Sequence, residues 1–434
     1  MSTPAPEARS ESALQRGGLG ASGAALFAGT MSANILAYAF FLILSRHLTE
    51  ADFGGVGSII NLSLIASVPA LGLQLVAARI VARAHAAHDE AALRDADGKV
   101  VRLGLQIGAL VTVLLAALSP ALAGLLHLSV TSVVVLAVAA GLMSVTFAVQ
   151  GILQGEERFG ALALVYALTG VTRLVAAVVA VLAGQSAPQL LSVLGVTVLF
   201  ALGWVVTAGV ALLLLPRHQR RPVRASTRTM GREVVTAVVS TSGLLVLSSF
   251  DVLLARHHLD LDASGAYTLG ALFEKAGFWG PAFLSTLFYP RMAVAATRRR
   301  AIVTALGVTG AAGAVGVLVT VVLGGPLVRI VGGERYDGLA GDVWLFAAFG
   351  VCLALVQVLV YAGLAVDDIR LGAAAWVVVA VDVVLLQWRH GGVVDIIATL
   401  LVSAVILIGV GLVLTARPRR GRRADLSVDG QLTP

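Results

Sequence analysis

Two basic side chains in this sequence stand where a charge is costly. Arg173 falls near the middle of the apolar stretch 159–183, and Lys275 near the middle of 264–290. If these stretches cross a bilayer, both sit at its midplane, where a charged residue costs about 2.5–3.5 kcal/mol at a helix centre. Such a residue faces water or an acid, and a fixed cation inside a low-dielectric slab suits an anionic group that has to pass. The plainer reading is neutralisation in a structural network, for Lys275 by Glu274 or Asp251. Those two acids are in turn candidates for coupling to a cation or proton. Asp251 lies about five residues from the end of stretch 234–256, on one arc with Thr241 and Ser248, and Asp382 is a further acid in an apolar stretch.

A polar stripe accompanies the charges. Thr30, Asn34, Tyr38 and Ser45 are spaced along one face of a helix over 22–45, and their hydroxyls and amide suit sugar hydroxyls or, equally, hydrogen bonds between helices. Tyr267, Gly270, Glu274, Gly277 and Pro281 form a comparable stripe, whose small residues favour close helix packing. Pro69 and Pro281 are candidate helix kinks, since proline removes a backbone hydrogen bond that a cavity or a neighbour must compensate.

What positions these residues is a membrane frame. Of 434 residues 58% are hydrophobic and 13% charged, against roughly 25% charged in soluble domains, which excludes a water-soluble fold. Long, continuously apolar stretches favour an all-α polytopic protein over a barrel. Interruptions by charge, Gly and Pro delimit twelve spans, 22–45, 55–81, 100–119, 129–150, 159–183 and 190–215, then 234–256, 264–290, 301–323, 342–363, 371–388 and 393–415. The domains follow: a disordered N-terminus at 1–21, an N-lobe at 22–215, a basic linker at 216–233, a C-lobe at 234–415 and a basic tail at 416–434. No removable signal peptide is expected. The termini and even-numbered loops hold 24 basic residues and the odd-numbered loops 5, which places both termini in the cytoplasm of a multi-pass inner-membrane protein.

The second six spans repeat the first. "SRHLTEADFG" at 45–54 returns loosely as "ARHHLDLDASG" at 255–265. Arg46 pairs with Arg256, Gly54 with Gly265, Pro69 with Pro281 and Arg79 with Arg291, at offsets of 210, 211, 212 and 212. Because each unit has six spans, the lobes enter the membrane in the same sense, related by a pseudo-twofold axis along its normal, an architecture of alternating-access transporters.

The segments "GTMSANILAYAFFLILSRHLTEADFGGVGSIINL" and "FDVLLARHHLDLDASGAYTLGALFEKAGFWGPAFLSTLFYPRMA" resemble the corresponding regions of bacterial polysaccharide flippases. These share a superfamily with multidrug and toxin extruders and lipid II flippases. The resemblance implies export of an undecaprenyl-diphosphate-linked oligosaccharide; depth and helical spacing put Arg173, Lys275, Asn34, Tyr38, Thr30 and Ser45 around a central cavity, and glycan-assembly enzymes are further expected partners. The family's aspartate–asparagine pattern departs here, with Phe250 beside Asp251, and the first span lacks the acid that multidrug extruders often carry there.

Other chemistries find little in the chain. Eight histidines form no ligand set, the single cysteine, Cys352, reads as core filler, and no metal or cofactor is expected. No Gly-x-x-x-x-Gly-Lys-Ser/Thr motif provides an ATP motor. The basic runs 217–232, 298–300 and 417–423 read as topology signals against anionic lipid rather than as nucleic-acid contacts. The longest odd-numbered loop, 324–341, has no room for an external catalytic segment, so an enzyme is not expected. A cation-coupled small-molecule exporter is the second reading, and a polysaccharide polymerase or ligase the third.

Overall fold

A computed structural model describes residues 6–215, 227–366 and 368–416. Over 6–25, 240–241 and 280–295 it describes the backbone only, apart from the side chains of 288, 291, 292 and 294. The tail 417–434 and most of the linker, 216–226, therefore lie outside the described residues.

The described chain is helical. In order come α1 (Pro6–His47), α2 (Glu50–Ala66), α3 (Val68–Ala86), α4 (Glu90–Leu126), α5 (Val130–Gly155), α6 (Phe159–Gly184) and α7 (Val193–Leu214). After the linker follow α8 (Arg228–Thr241), α9 (Gly243–His258), α10 (Leu261–Ala293), α11 (Ala295–Gly332), α12 (Val343–Leu364), α13 (Arg370–Leu386) and α14 (Val393–Ala416). Among the described residues nine helices are long and apolar enough to cross a membrane, or ten if the bent pair α8 and α9 is one span. The expectation of twelve exceeds this because α13 has only 17 residues and α10 carries Asp262, Glu274, Lys275 and Arg291.

Several boundaries move. The first helix begins at Pro6, within the segment 1–21 read as disordered. Stretch 55–81 is one span, Glu50–Ala86, broken at Ser67, where Pro69 opens the second piece. At the break the Ser67 hydroxyl donates to the Leu64 carbonyl at 2.7 Å. By contrast α10 continues through Pro281, whose side chain lies outside the described residues. Stretch 234–256 is bent by 64° between α8 and α9. Two further prolines, Pro120 in α4 and Pro326 in α11, lie inside helices, and α11 leaves helical geometry at Leu323, three residues before Pro326.

The duplicated motif is a pair of helix starts. Thr49 Oγ1 accepts from Asp52 N–H at 3.1 Å to begin α2, and Asp260 Oδ1 accepts from Ala263 N–H at 2.8 Å to begin α10. The two helices then cross at small residues. A Cβ at Gly54 would stand 2.9 Å from Gly265 N, and one at Gly265 would run into the backbone of Glu50.

Apolar packing is unevenly divided. One core joins α1, α2 and α7 to α9, α10, α12 and α14 at the odd-loop end, through Phe40, Leu44, Phe53, Tyr267, Phe346 and Leu400. At the even-loop end the packing separates into two clusters. One holds Val76, Val100, Ile152, Val165 and, from α8, Met230 and Val234; the other holds Met292, Ala305, Val358 and Ala362. The largest cluster thus spans both halves of the chain, the two smaller ones lie near the even-numbered loops, and α8 packs on α3.

Glycines set the closest helix approaches. Gly350 of α12 faces α10 so tightly that a Cβ would meet the Glu274 carbonyl, whereas Gly316 of α11 has nothing within 4 Å. Gly350→Ala is expected to cost about 1–3 kcal/mol, because backbone must shift, and to lower the thermal midpoint in detergent by a few degrees. Gly316→Ala is expected to be neutral or stabilising, and equal midpoints for the two variants would contradict this packing.

Candidate functional site

Arg173 and Lys275 come together. A cavity of about 240 Å³ is lined by Asn34, Ala37, Tyr38 and Phe41 of α1, Ile60 and Leu64 of α2, Arg173 of α6, and Leu272, Lys275 and Trp279 of α10. The steps between the lining residues of α1 are helical, and glycine brings α6 against this helix: a Cβ at Gly170, one turn before Arg173, would stand 2.7 Å from Ala33 Cα. On the opposite side α10 is held against α12, where Gly270 receives the Phe346 ring and Gly277 the Ala347 carbonyl. The stripe on α10 is in this respect a packing face, as its small residues suggested.

The two cations are arranged differently. The Arg173 guanidinium lies 5.5 Å from the centroid of the Phe200 ring, its Nε is buried without a partner, and among the described residues no carboxylate is within ion-pairing distance. Lys275 Nζ donates to the Ser248 carbonyl at 3.2 Å and likewise forms no direct ion pair among the described residues. Neither cation is therefore neutralised by contact with an acid. Tyr38 donates its hydroxyl to the Leu272 carbonyl, tying α1 to α10 across the cavity.

Thr30 and Ser45 do not line this cavity. Thr30 is exposed and donates to the Leu26 carbonyl of its own helix. Ser45 is buried at the odd-loop end, where it donates to the Val331 carbonyl of α11 at 2.6 Å. The face of α1 is continuous, but the second half of the molecule closes over it before Ser45 is reached. Sequence reasoning also missed Phe41, Trp279 and Phe200, because an aromatic residue in an apolar stretch carries no signal of what it faces.

Behind Lys275 lies an acid cluster. Asp251 is 1% exposed and Glu274 is fully buried, and the two interact electrostatically with each other, with Lys275 and with the buried Tyr267. The Asp251 carboxyl lies against the Tyr267 hydroxyl, the Val252 N–H and the Glu274 carboxyl. Asp382 is within electrostatic reach of Tyr267 and accepts from the Ser403 hydroxyl at 2.5 Å. Among the described residues no group of three or more His, Cys, Asp or Glu is placed to hold a metal ion. Cys352 is a partly buried free thiol packed against the core.

Chemically, the arrangement offers an anion a cavity with two cations that form no direct ion pair among the described residues, amide and aromatic groups, and a buried acid pair beside one of those cations. Comparison with known proteins narrows what it belongs to. Residues 19–296, more than half of the chain, match the model of a family described as polysaccharide biosynthesis protein. No curated protein matches the chain by sequence. Among solved structures it is similar to a multidrug resistance MATE family transporter of the MOP superfamily in an inward-facing conformation, with TM-score 0.72, 14% identity, and coverage of 89% of this chain and 94% of that one. An outward-facing MATE family structure matches with TM-score 0.59, 15% identity and coverage of 90% and 93%. A MOP superfamily transporter from Pyrococcus furiosus, described as having a binding pocket of reverse polarity that suggests a different function, matches with TM-score 0.53, 15% identity and coverage of 90% and 93%. At these identities the likeness is one of fold. The chain accordingly belongs to the polysaccharide biosynthesis protein family, built on the fold of MOP-superfamily transporters.

Proposed function

We propose that this protein carries a polyprenyl-diphosphate-linked oligosaccharide across the cytoplasmic membrane for polysaccharide synthesis. It does so by rocking two six-helix lobes, 22–215 and 234–415, about the central cavity. The observation that supports this reading best is that Arg173 and Lys275, from different halves of the chain, line one cavity and form no direct ion pair among the described residues. A diphosphate loses its hydration on entering such a site, and guanidinium and ammonium groups replace it with charge-assisted hydrogen bonds. Asn34 offers donors and acceptors to sugar hydroxyls, while the polyprenyl tail stays in lipid. With both termini cytoplasmic, the even-loop end faces the cytoplasm, where the substrate is assembled, and glycan-assembly enzymes are its neighbours there.

Asp251 and Glu274 are the proposed coupling site. Two carboxylates beside one ammonium leave a net negative charge that a single proton or monovalent cation balances, and occupancy then decides how strongly Lys275 is held by its own lobe.

The same buried acids favour a second reading, a cation-coupled exporter of small molecules, in keeping with the multidrug transporters of the same fold. Purified protein in proteoliposomes separates the two. Translocation of a fluorescent polyprenyl-diphosphate sugar, read as protection from an external quencher, is expected; efflux of an organic cation without such translocation would reverse the choice.

A further inference from the structure

The duplicated motif carries an arginine that neither the cavity nor the acid cluster uses. Arg256, at the end of α9, is only 3% exposed although it is a cation. Its Nε donates to the Leu126 carbonyl at 3.0 Å, Nη2 to the His127 carbonyl at 3.3 Å, and Nη1 to the Ala51 carbonyl at 2.9 Å and to Ser264 Oγ at 2.8 Å. The first three acceptors belong to the other half of the chain. Leu126 and His127 are the end of α4, where His127 adopts a left-handed conformation with φ 51° and the last carbonyls have no helical partner. The repeat partner of Arg256 does the converse. Arg46, at the end of α1, donates to the Ile330 carbonyl in the last turn of α11, across the halves in the opposite direction.

We infer that Arg46 and Arg256 form a reciprocal latch, each capping the C-terminal end of the third long helix of the opposite half, and that this latch holds the external side of the protein shut. Three features support it independently of the repeat. A helix C-terminus is an electronegative site for a cation, so the latch gains charge-assisted bonds without an acid. The odd-loop end, where both arginines lie, is where the apolar core is continuous across the halves. The end of α11 is moreover fastened to the first half by Arg335, which donates to the Leu48 carbonyl at 2.6 Å, and by Tyr336, packed edge-on against Phe53. In the turn beyond α11, the Arg329 guanidinium 2.7 Å from Asp337 holds that carboxyl below its ordinary range, keeping the turn ion-paired at neutral pH. The two arms are unequal: Arg256 is buried with several bonds, whereas Arg46 is exposed with one. Opening to the outside has to break both, and Arg256 is the stronger restraint.

The inference rests on the rocking-transporter reading but not on its substrate. Cys352→Ser with Leu64→Cys gives a single thiol in the cavity wall, labelled in intact cells by a membrane-impermeant maleimide. External labelling is expected to rise about tenfold in Arg256→Gln, about threefold in Arg46→Gln and to an intermediate degree in Arg256→Lys, as the closed population falls. Gly265→Ala, which wedges the backbone of Glu50 without touching a charge, is expected to raise it as well. Unchanged external labelling in Arg256→Gln, with the parent's labelling from inside-out vesicles, would overturn the latch, as would a rise seen only from the cytoplasmic side. If Arg256→Gln does not accumulate in the membrane, Arg46→Gln and Gly265→Ala decide by the same readings. The expected labelling pattern in a protein that moves no lipid-linked sugar would uphold the latch and refute the substrate.

Discussion

Arg173→Gln combined with Lys275→Gln is expected to slow translocation of a polyprenyl-diphosphate sugar by about 10³-fold. A hydrogen bond to a charged group contributes about 1.5–3 kcal/mol, so two such contacts at about 2 kcal/mol each give that factor at 1.4 kcal/mol per tenfold. The amount of protein in the membrane is expected to stay at the parent level for Arg173→Gln, because that guanidinium forms no ion pair among the described residues, and is measured separately for Lys275→Gln, which removes the cation beside Asp251 and Glu274. Arg173→Lys is expected to keep part of the activity, since charge survives while the planar fork does not. Initial rates in proteoliposomes of matched protein content provide the measurement. Parent-level transport by the double glutamine variant would defeat the proposed role of the cavity.

The second large effect is expected at the acid cluster. Glu274→Gln leaves Asp251 as the only acid beside Lys275, so their charges balance without a bound proton or cation. Transport driven by an imposed gradient is then expected to fall about 10-fold to 100-fold, the usual size of a coupling between two sites. Downhill movement of substrate without a gradient is expected to be largely retained. Asp251→Asn is expected to act in the same direction, and Asp382→Asn to act weakly, because Asp382 has its own hydroxyl donor in Ser403. Imposing proton and sodium gradients separately on the same vesicles identifies the driving ion. Parent-like gradient dependence in both Glu274→Gln and Asp251→Asn would remove the coupling role from this pair.

Much of this site was legible in one dimension because the bilayer is so restrictive a solvent. An arginine or lysine in the middle of an apolar stretch has to find water, an acid or a ring, so Arg173 and Lys275 stood out by residue type and depth alone. The internal repeat was read from Arg46 and Arg256, Gly54 and Gly265, Pro69 and Pro281, and Arg79 and Arg291; the structure adds that Thr49 and Asp260 each begin a helix in the two motifs and that Gly54 and Gly265 each permit a close crossing. Depth and local conformation are properties of a segment, and they are written in its own residues.

Partnership is not. Asn34 and Tyr38 line the cavity while Thr30 and Ser45, on the same side of the same helix, do not, because α1 is flanked by α6 along one part of its length and meets α11 along another. Helical periodicity selects a face but says nothing of what covers it. The bend between α8 and α9 likewise has no proline to announce it; it arises where α8, whose Met230 and Val234 bury against the first half, gives way to α9, which packs between α2 and α13. Lys275 was expected to face either the cavity or the acids. Tertiary structure places it against both, lining the cavity while remaining within electrostatic reach of Asp251 and Glu274. Composition and periodicity thus determined which residues must avoid lipid, since that penalty acts on each residue alone. Which of them meet was decided by helix packing, because a contact energy depends on two surfaces far apart in the chain and on the small residues that let them approach.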